Sequence, residues 1–345
     1  MKILVAGYGQ YEWFAPAWVK GLQQLGHNVA FFDWSPLFPG GVLGKIEYKL
    51  MWGPAVLRTN SKLRQLARSI HPDILLIHCG FPIYPETVAQ LAQSCWITGF
   101  HHDDPFGAFG RKAYFRLFRR AIPFYQSHHV IREENLSDYR RLGVRNVKIL
   151  MTYYVPWLHH PYSSTGLDDF RSKPQVVFIG HPEPDQRIQH VTDMVEADIP
   201  LSLFGSPEWN RYLPLAIQRR CGSQIKPLLG DAYARTISAA KICIAFYSGA
   251  NRDRYSYRVF EIPACRGFLL AKRTDVMQGL YDEGKEAEYF SSSEELIDKI
   301  RFYLRHEEAR AQIAQKGYER CLRSGYDVVS RMKQWLVDIE GFREG

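Results

Sequence analysis

Long apolar runs are missing from this chain of 345 residues. No segment approaches the roughly 18 consecutive apolar residues that a membrane-spanning helix needs. At the N-terminus, Lys2 and a short apolar run precede Gly7, which predicts a first strand rather than a signal peptide. Tandem repeats and low-complexity tracts are missing as well. We therefore expect a protein that is soluble or bound to a membrane only at its surface.

Paired cysteine motifs are also missing. None of the six cysteines forms a Cys-x-x-Cys pair, and several lie in apolar runs. The six are Cys79, Cys95, Cys221, Cys243, Cys265 and Cys321. Reduced, structural thiols are the better interpretation, and they are typical of the cytosol. We expect a cytoplasmic protein, and peripheral contact with the inner face of the membrane stays open.

The composition excludes a disordered chain, because 46% of the residues are hydrophobic and 14% are aromatic. The length suits two domains of about 150 residues each. A net charge of +8 suits an anionic partner, whether a nucleotide, a phospholipid surface or a nucleic acid. The basic residues are spread through both halves and match no recognisable nucleic-acid-binding module, so we expect no nucleic-acid partner.

The order of the predicted elements indicates an α/β fold. A strand over residues 2–6, a helix over 14–25 and a strand over 29–32 form a βαβ start, which opens a parallel sheet with helices on both faces. The same alternation restarts at residue 175. We predict an N-terminal Rossmann-like domain over residues 1–155, a linker over 156–173, a C-terminal Rossmann-like domain over 174–325 and a final amphipathic helix over 326–345.

A glycine-containing loop follows the first strand. It contains Gly7, Gly9, Gln10 and Tyr11, and Asp33 ends the second strand. An acid at that position could bind the ribose of NAD, but the third glycine of the dinucleotide motif is missing. A loop that turns the chain near a cleft is the simpler interpretation.

A polar cluster follows the strand predicted over residues 95–98. His101, His102, Asp103 and Asp104 come there in a row, and open α/β sheets bind ligands at the carboxyl ends of their strands. Such residues could serve as a general base, as metal ligands or as hydrogen-bonding groups. Adjacent residues rarely hold one ion together, so we expect no metal. We predict His102, Asp103 and Asp104 as catalytic candidates; a structural Asp104 that caps the next helix is the open alternative.

Two basic tracts stand out. Residues 45–68 carry six basic residues against the single acid Glu47, and residues 111–120 carry five basic residues and no acid. A solvated helix face explains either tract. A basic amphipathic helix can equally lie on an anionic membrane, so peripheral membrane contact stays open.

The most informative run covers residues 251–271. It follows an apolar strand over residues 242–246, begins with a polar loop and continues as a helix that Ser256 caps and Gly267 ends. A strand, a polar loop and a capped helix together bind anions, because free N–H groups point at the loop. We predict a nucleotide diphosphate, with Arg258 on phosphate and Glu261 on a ribose hydroxyl.

This run resembles the signature of CgeB-like glycosyltransferases, the spore maturation protein B type. The matching residues are Ser256-Tyr-Arg258-Val-Phe-Glu261-Ile-Pro-Ala-Cys-Arg-Gly267. Residues 177–181 with Arg187, residues 203–205 with Trp209, and residues 230–241 are similar to the preceding elements of that family's second domain. Residues 99–105 resemble its Asp-Asp-Pro segment in the first domain.

The resemblance implies a GT-B architecture, with two Rossmann-like domains that face a cleft and a last helix that crosses back to the first domain. It also implies a hexosyltransferase-type enzyme that takes its sugar from a nucleotide-sugar, in the leading interpretation a UDP-sugar. The paired glutamates of related enzymes correspond to Asp253, one methylene shorter, and Glu261. The residues that would bind the donor nucleotide are Gly180, His181, Arg187, Gly205, Tyr233, Asp253, Arg254, Ser256, Tyr257, Arg258 and Glu261.

A GT-B enzyme needs no metal for the chemical step, because a helix N-terminus and basic side chains meet the charge of the leaving diphosphate. If the reaction inverts configuration, Asp103 or Asp104 should act as base. The acceptor, whether a glycan, a protein, a lipid-linked molecule or a small molecule, stays open. Two other functions compete: a non-catalytic nucleotide- or anion-binding protein of the same fold, and an NAD-dependent Rossmann enzyme built on Gly7 and Asp33.

Overall fold

A computed structural model describes residues 1–108, 110, 112–162, 175–221 and 225–344. The chain forms two compact units. The first unit contains Met1–Thr152, Ala250–Arg252 and Val328–Gly345, and the second contains Tyr153–Gly249 and Asp253–Asp327. The predicted linker over residues 156–173 lies outside the described residues from position 163 onward.

The first unit is built on a six-stranded, wholly parallel sheet with the order β2-β1-β3-β4-β5-β6. Its strands are β1 (Lys2–Gly7), β2 (Asn28–Asp33), β3 (Ile74–His78), β4 (Trp96–His101), β5 (Ser127–Val130) and β6 (Val147–Ile149). Every residue of β3 and β5 is buried, as expected for parallel strands that helices cover on both faces. The alternation of strands with helices therefore arises from the need to bury both faces of one sheet.

Among the described residues, six α-helices connect these strands. They are α1 (Ala15–Gln24), α2 (Gly41–Leu50), α3 (Pro54–Ile70), α4 (Pro85–Leu91), α5 (Arg116–Ala121) and α6 (Glu133–Arg141). The basic tract at residues 111–120 forms a short 3₁₀ turn, Ala113–Phe115, followed by α5. Its first residue, Arg111, lies outside the described residues.

The second unit contains a five-stranded parallel sheet with the order β11-β10-β9-β7-β8. The strands are β7 (Val176–Ile179), β8 (Leu201–Phe204), β9 (Ile242–Ala245), β10 (Leu269–Lys272) and β11 (Glu288–Phe290). The helices are α7 (Gln186–Glu196), α8 (Trp209–Tyr212), α9 (Leu215–Arg220), α10 (Asp231–Ala239), α11 (Arg258–Ala264), α12 (Asp275–Leu280), α13 (Ser293–Arg305) and α14 (Glu307–Arg323). Two parallel sheets with alternating helices confirm the predicted α/β class.

The last helix, α15 (Val328–Glu344), packs on α1 and so completes the first unit. The two helices approach closely at Gly21, where an added Cβ would lie 3.3 Å from Cγ of Met332. Trp18 and Trp335, both fully buried, meet edge to face at 6.4 Å between ring centroids. No helix in the described part of the chain is both long and apolar enough to cross a membrane.

One expectation for residues 251–271 was wrong in detail. The helix in this run, α11, begins at Arg258 rather than at Ser256, and its N-cap is Tyr257, which makes no side-chain capping hydrogen bond. It has only seven residues and contains Pro263, which lacks an N–H donor. The sequence also gave no sign of β11, whose three residues are too few for a periodic pattern to show.

Asp338 fastens α15 to the sheet of the first unit. Its carboxylate accepts hydrogen bonds from Nζ of Lys148 at 2.7 Å and from Nε2 of His129 at 3.3 Å. Burial acts to raise the pKa of Asp338, but these two partners outweigh it and lower the pKa below its usual range. A lowered carboxyl pKa means that the ionised form stabilises the fold, and that this contribution is lost as the pH falls through the folded-state pKa.

We expect Asp338→Asn to lower the free energy of unfolding by about 1 kcal/mol at neutral pH, because Lys148 loses its anionic partner. The difference between the wild type and the variant should begin to shrink below about pH 4, where the carboxyl of the unfolded chain becomes protonated, and it should close once the pH falls below the lowered folded-state pKa of Asp338. Urea unfolding followed over a pH series measures it. Asp298→Asn, at an exposed position of α13, is the matched control. A difference that stays constant down to acid pH would contradict the proposed role of Asp338.

Candidate active site

Each sheet has one point where the strand order reverses, and open α/β sheets bind ligands beside the carboxyl ends of the strands at such a point. In the second unit this point lies between β7 and β9. In the first unit it lies between β1 and β3. The predicted site residues follow these strands and their neighbours, so each unit has a candidate half-site of its own.

In the second unit, two glycines let the loops after β7 and β8 approach each other. Gly205 has a φ of 146°, and an added Cβ there would lie 1.9 Å from the carbonyl oxygen of Gly180. Trp209 fixes the same carbonyl by donating its Nε1–H at 2.8 Å. A side chain at position 205 has no room, so the surface here consists of backbone, as phosphate-binding loops require.

Arg258 brings a positive charge to this loop. Its Nε donates to the carbonyl oxygen of Ile179, the last residue of β7. One of its terminal nitrogens lies 3.5 Å from where a Cβ of Gly180 would be. The pKa of the neighbouring His181 is lowered by burial and, next, by the charge of Arg258. At neutral pH a cation therefore stands beside an uncharged imidazole.

Glu261 lies one turn into α11, is 7% exposed, and has two partners. The hydroxyl of Tyr233 donates to its Oε2, and Nε2 of His159 lies 3.9 Å from its Oε1. Nδ1 of His159 accepts the N–H of Val155 at 3.0 Å, so the neutral ring carries its proton on Nε2, toward Glu261. The carboxylate is thus held in one orientation by residues from two other segments.

His159 was not predicted as a site residue. It lies in the stretch that the sequence marked as a linker, where loss of periodicity was the only signal. Burial lowers its pKa, whereas Glu261 acts in the opposite direction. Its contact with Glu261 depends on the fold alone, because 102 positions, 159 to 261, separate the two residues.

Arg187 has a different environment from Arg258. Its side chain is 7% exposed and binds both carboxylate oxygens of Asp185 at 2.9 Å. It also donates to the carbonyl oxygens of His181, at 3.0 Å, and of Tyr247, at 2.9 Å. Arg187 therefore ties the loop after β7 to the segment after β9, and its predicted contact with phosphate stays a prediction.

The remaining predicted donor residues surround the start of α11. Arg254 pairs with the exposed Asp275 at 2.8 Å, and Asp253 donates its N–H to the carbonyl oxygen of Ser248 at 2.8 Å. The ring of Tyr257 meets that of Tyr153 edge to face at 5.3 Å. The hydroxyl of Ser256 is buried and has no hydrogen-bond partner among the residues that the structure describes. A buried hydroxyl in this state is one that a ligand could satisfy.

In the first unit, the loop after β1 is locked by Asp33. One oxygen of its carboxylate accepts the N–H of Gly9 at 2.9 Å, and the N–H and hydroxyl of Ser35 at 2.8 and 2.7 Å. An added Cβ at Gly9 would lie 2.3 Å from the other oxygen. The carboxylate of Asp33 thus holds the loop after β1 in place. In an NAD enzyme, the corresponding acid must instead be available to bind the ribose.

The exposed part of this loop contains Gln10 and Tyr11. Gln10 accepts the hydroxyl proton of Tyr8 at 2.5 Å, and the ring of Tyr11 stacks on Trp13 at 5.0 Å. Gly7, at the end of β1, is in close contact with α1, since an added Cβ would lie 2.4 Å from Cβ of Ala15. The loop is ordered by its own aromatic side chains.

His102 and Asp103 are the members of the polar cluster that solvent reaches in part. Their side chains are 19% and 24% exposed, and Nε2 of His102 lies 3.8 Å from Oδ2 of Asp103. The ring of His102 stacks on Phe14 at 4.3 Å, and its pKa is lowered by burial although Asp103 acts to raise it. His101 is buried and accepts the N–H of Asp103 at 3.0 Å. Only His102 and Asp103 can therefore meet a substrate directly.

A group of three side chains beside this cluster could hold a metal ion. The ligand atoms of His78, Cys79 and His102 all lie within 4.8 Å of one another, and Sγ of Cys79 lies 3.2 Å from Nδ1 of His102. In the described ranges, this is the one group of three or more such residues that comes so close. Nitrogen and sulfur ligands suit zinc or copper rather than magnesium. The prediction that catalysis needs no metal stays a prediction.

Asp104 is fully buried and has a partner for each oxygen. Its carboxylate accepts the N–H of Phe106 at 2.9 Å, the amide of Asn135 at 2.8 Å and Nε of Arg252 at 2.5 Å. Burial would raise the pKa of Asp104, but these three donors lower it below its usual range. The geometry fits the alternative of a structural carboxylate, and of the two aspartates only Asp103 is partly exposed to solvent. The catalytic role of either residue stays a prediction.

The tripeptide Ala250–Arg252, which belongs to the first unit, completes this network. Asn251 accepts the N–H of Asp104 and donates to Oδ1 of Asp103, both at 3.1 Å. Arg252 also binds Asp138 at 2.7 Å. The sequence did not predict these contacts, because the residues are separated by more than 100 positions.

We expect Arg252→Ala to lower the free energy of unfolding by about 2 kcal/mol or more, because the buried Asp104 carboxylate would lose its cation. Arg254→Ala, two positions on, should change it by less than about 1 kcal/mol, since its partner Asp275 is exposed. Urea unfolding monitored by tryptophan fluorescence compares the two. Equal losses would show that the Asp104 pair does not order the first unit.

The fold with this pair of sheets is the GT-B fold of glycosyltransferases. Sucrose-phosphate synthase from Thermosynechococcus elongatus is similar over 99% of both chains, with 12% sequence identity and a TM-score of 0.69. Anabaena HepE, solved with UDP-glucose, is similar over 99% of this chain and 100% of its own, with 14% identity and a TM-score of 0.69. A glycosyltransferase from Rickettsia africae is similar over 99% and 98% of the two chains, with 9% identity and a TM-score of 0.66.

Similarity to a known sequence family covers part of the chain. Residues 186–337 match the family described as "Glycosyl transferase-like". The matched range contains the run at residues 251–271, Tyr233 and Gly205. No curated protein matches this chain in sequence.

Proposed function

We propose that this protein is a glycosyltransferase that moves a hexose from a nucleotide-sugar to an acceptor. The observation that carries the proposal is the site at the strand-order reversal of the second sheet. Three groups lie at this site: a backbone surface at Gly180, the guanidinium of Arg258 and the carboxylate of Glu261, which Tyr233 orients. The match of residues 186–337 to a glycosyltransferase-like family supports it.

Each of these groups has a part in the proposed donor site. Phosphate oxygens accept hydrogen bonds, which Arg258 and the buried hydroxyl of Ser256 can donate, and the absence of side chains at Gly180 and Gly205 leaves space for the phosphate. Ribose hydroxyls donate to a carboxylate, which Glu261 supplies. We propose UDP as the nucleotide, a choice supported by the UDP-glucose bound to the structurally similar HepE. The CgeB-like signature in residues 256–267 supports the same assignment at the level of a subfamily.

In the transfer step, the bond between the anomeric carbon and the diphosphate oxygen breaks, and a bond to an acceptor oxygen forms. Arg258 would stabilise the charge that builds up on the diphosphate. If the reaction inverts configuration, we propose Asp103 rather than Asp104 as the base that takes the acceptor proton; its partial exposure supports this choice, since Asp104 is buried among donors. We propose that no divalent cation takes part at the diphosphate.

A non-catalytic nucleotide-binding protein is the second candidate, because the observation that carries the proposal concerns binding. It would retain UDP affinity without releasing nucleotide from any sugar donor. A panel of nucleotide-sugars, read as released nucleotide with and without magnesium, separates the two functions. Release that does not change on addition of magnesium is the result that the proposal expects.

We expect Glu261→Ala to lower the affinity for UDP by roughly 10- to 100-fold, since charged hydrogen bonds to the ribose are lost. Isothermal titration calorimetry measures it, after a thermal-shift screen of UDP, GDP, ADP and TDP has identified the nucleotide. Tyr233→Phe should lower the affinity by a smaller factor, because Glu261 keeps its charge and loses only one of the groups that orient it.

Glu294→Ala, at an exposed position of α13, is the matched control and should bind like the wild type. Unchanged UDP affinity in a folded Glu261→Ala variant would refute the ribose assignment. If no nucleotide of the screen shifts the melting temperature, the donor site itself is refuted.

A further inference from the structure

A patch of large apolar side chains is exposed on the first unit around α2. We call it the α2 patch, and it consists of Val42, Leu43, Ile46, Leu50, Trp52 and Leu57. Leu43 is 75% exposed, Trp52 71% and Leu57 60%. Contiguous exposed apolar patches are rare on soluble proteins and mark surfaces that bind a partner or a membrane.

The patch follows from the periodicity of α2. At about 100° per residue, Val42, Ile46 and Leu50 form one stripe with Leu43 beside it. Gly44, Glu47 and Tyr48 lie on the other side, where they are buried or half-buried. The apolar stripe therefore faces solvent while the remaining face packs on the unit, the reverse of an ordinary amphipathic surface helix.

Basic residues border this stripe. Lys45 and Lys49 project next to it on α2, and Arg58 and Lys62 follow on α3; all four are exposed. The second basic tract lies close by, because α2 packs against the turn Ala113–Phe115. Exposed Lys112 and Arg116 flank that turn. Two tracts that are separate in the sequence thus join one surface.

Negative charge is scarce on this surface. Between residues 34 and 72 the only acid is Glu47, whose Oε2 accepts the N–H of Ala55 at 3.2 Å. Two copies of the patch would bring lysines and arginines of the same sign together, so self-association is unfavourable. A membrane with anionic headgroups and an apolar interior matches both the basic residues and the apolar stripe of the patch.

We propose that the α2 patch docks this protein on the surface of an anionic lipid membrane. The apolar stripe of α2 and Trp52 enter the boundary between headgroups and acyl chains, and the lysines and arginines contact anionic headgroups. Docking does not depend on the transferase function. If the protein is the proposed glycosyltransferase, membrane docking favours a lipid-linked acceptor over a soluble one; this conclusion about the acceptor rests on the proposed function.

Co-sedimentation with vesicles tests the proposal without any nucleotide. Vesicles of phosphatidylcholine and phosphatidylglycerol in equal amounts should bind the protein at least about tenfold more tightly than phosphatidylcholine alone, and added salt should weaken binding. The double variant Lys45→Glu/Lys49→Glu should weaken binding to the anionic vesicles by at least about tenfold. Leu43→Ser/Trp52→Ser should weaken binding to a similar degree through the lost apolar contacts.

The matched controls are Leu215→Ser, at a leucine of the second unit that is 61% exposed, and Lys285→Glu, at an exposed lysine there. Both should bind like the wild type. Because the altered side chains are exposed, melting temperatures should stay unchanged. A blue shift of tryptophan fluorescence with vesicles that Trp52→Phe removes would place Trp52 in the membrane.

Wild-type protein that does not sediment with anionic vesicles refutes the proposal, and so does binding that the α2 variants leave unchanged. Self-association in size-exclusion chromatography that the Leu43→Ser/Trp52→Ser variant abolishes, without vesicle binding, would assign the patch to a second copy of the chain instead. Failure of vesicle binding together with normal UDP affinity would leave the donor-site proposal intact.

Discussion

The common direction of the strands is the constraint on which the rest of this structure depends. In both sheets every pairing is parallel, so the carboxyl ends of all strands lie along one edge of their sheet. Loops that are far apart in the sequence are thereby brought together at that edge. Cys79 and His102 meet in the first unit for this reason, because they directly follow the neighbouring strands β3 and β4.

Buried ionic groups then give these loops a single conformation. Arg187 does so in the second unit, where it satisfies two backbone carbonyls and a carboxylate at once. Asp104 does so in the first unit with Arg252 and Asn135. A buried charge is costly unless every partner is present, so such a group tolerates one loop arrangement only. The side chains left partly exposed beside it, such as Asp103 or Arg258, are the ones free to meet a ligand.

Much of the fold could be predicted because strand burial and helix periodicity are local signals. The apolar run at Ile74–His78 and the stripe of α15 are clear in the sequence, and the structure has both elements. Element ends were less predictable. Ser256 has the chemistry of an N-cap, but α11 begins at Arg258 with Tyr257 as its N-cap, and the hydroxyl of Ser256 is buried without a hydrogen bond to the described residues.

The candidate site could be predicted only where its chemistry lies in one run of sequence. The pattern of residues 251–261 predicts Arg258 and Glu261. The two residues that orient Glu261, Tyr233 and His159, come from distant segments that only the fold brings close to it. Asp104 shows the same limit. Asp103 and Asp104 are chemically identical side chains in the sequence. Only the structure distinguishes them, because it buries Asp104 among three hydrogen-bond donors.

The short α11 changes the explanation of the proposed phosphate recognition. A helix of seven residues with Pro263 inside has few aligned peptide dipoles, so its N-terminus contributes little field. In the proposed site, recognition would then depend on charge and space. The guanidinium of Arg258 lies beside a glycine loop that has no room for a side chain at position 205, since an added Cβ there would lie 1.9 Å from the carbonyl oxygen of Gly180. In the proposed donor site, we expect selectivity to come from shape at the diphosphate and from hydrogen bonding at the ribose. Under the proposed function we therefore expect the orientation of Glu261, which Tyr233 and His159 fix, to matter more for nucleotide affinity than the helix does.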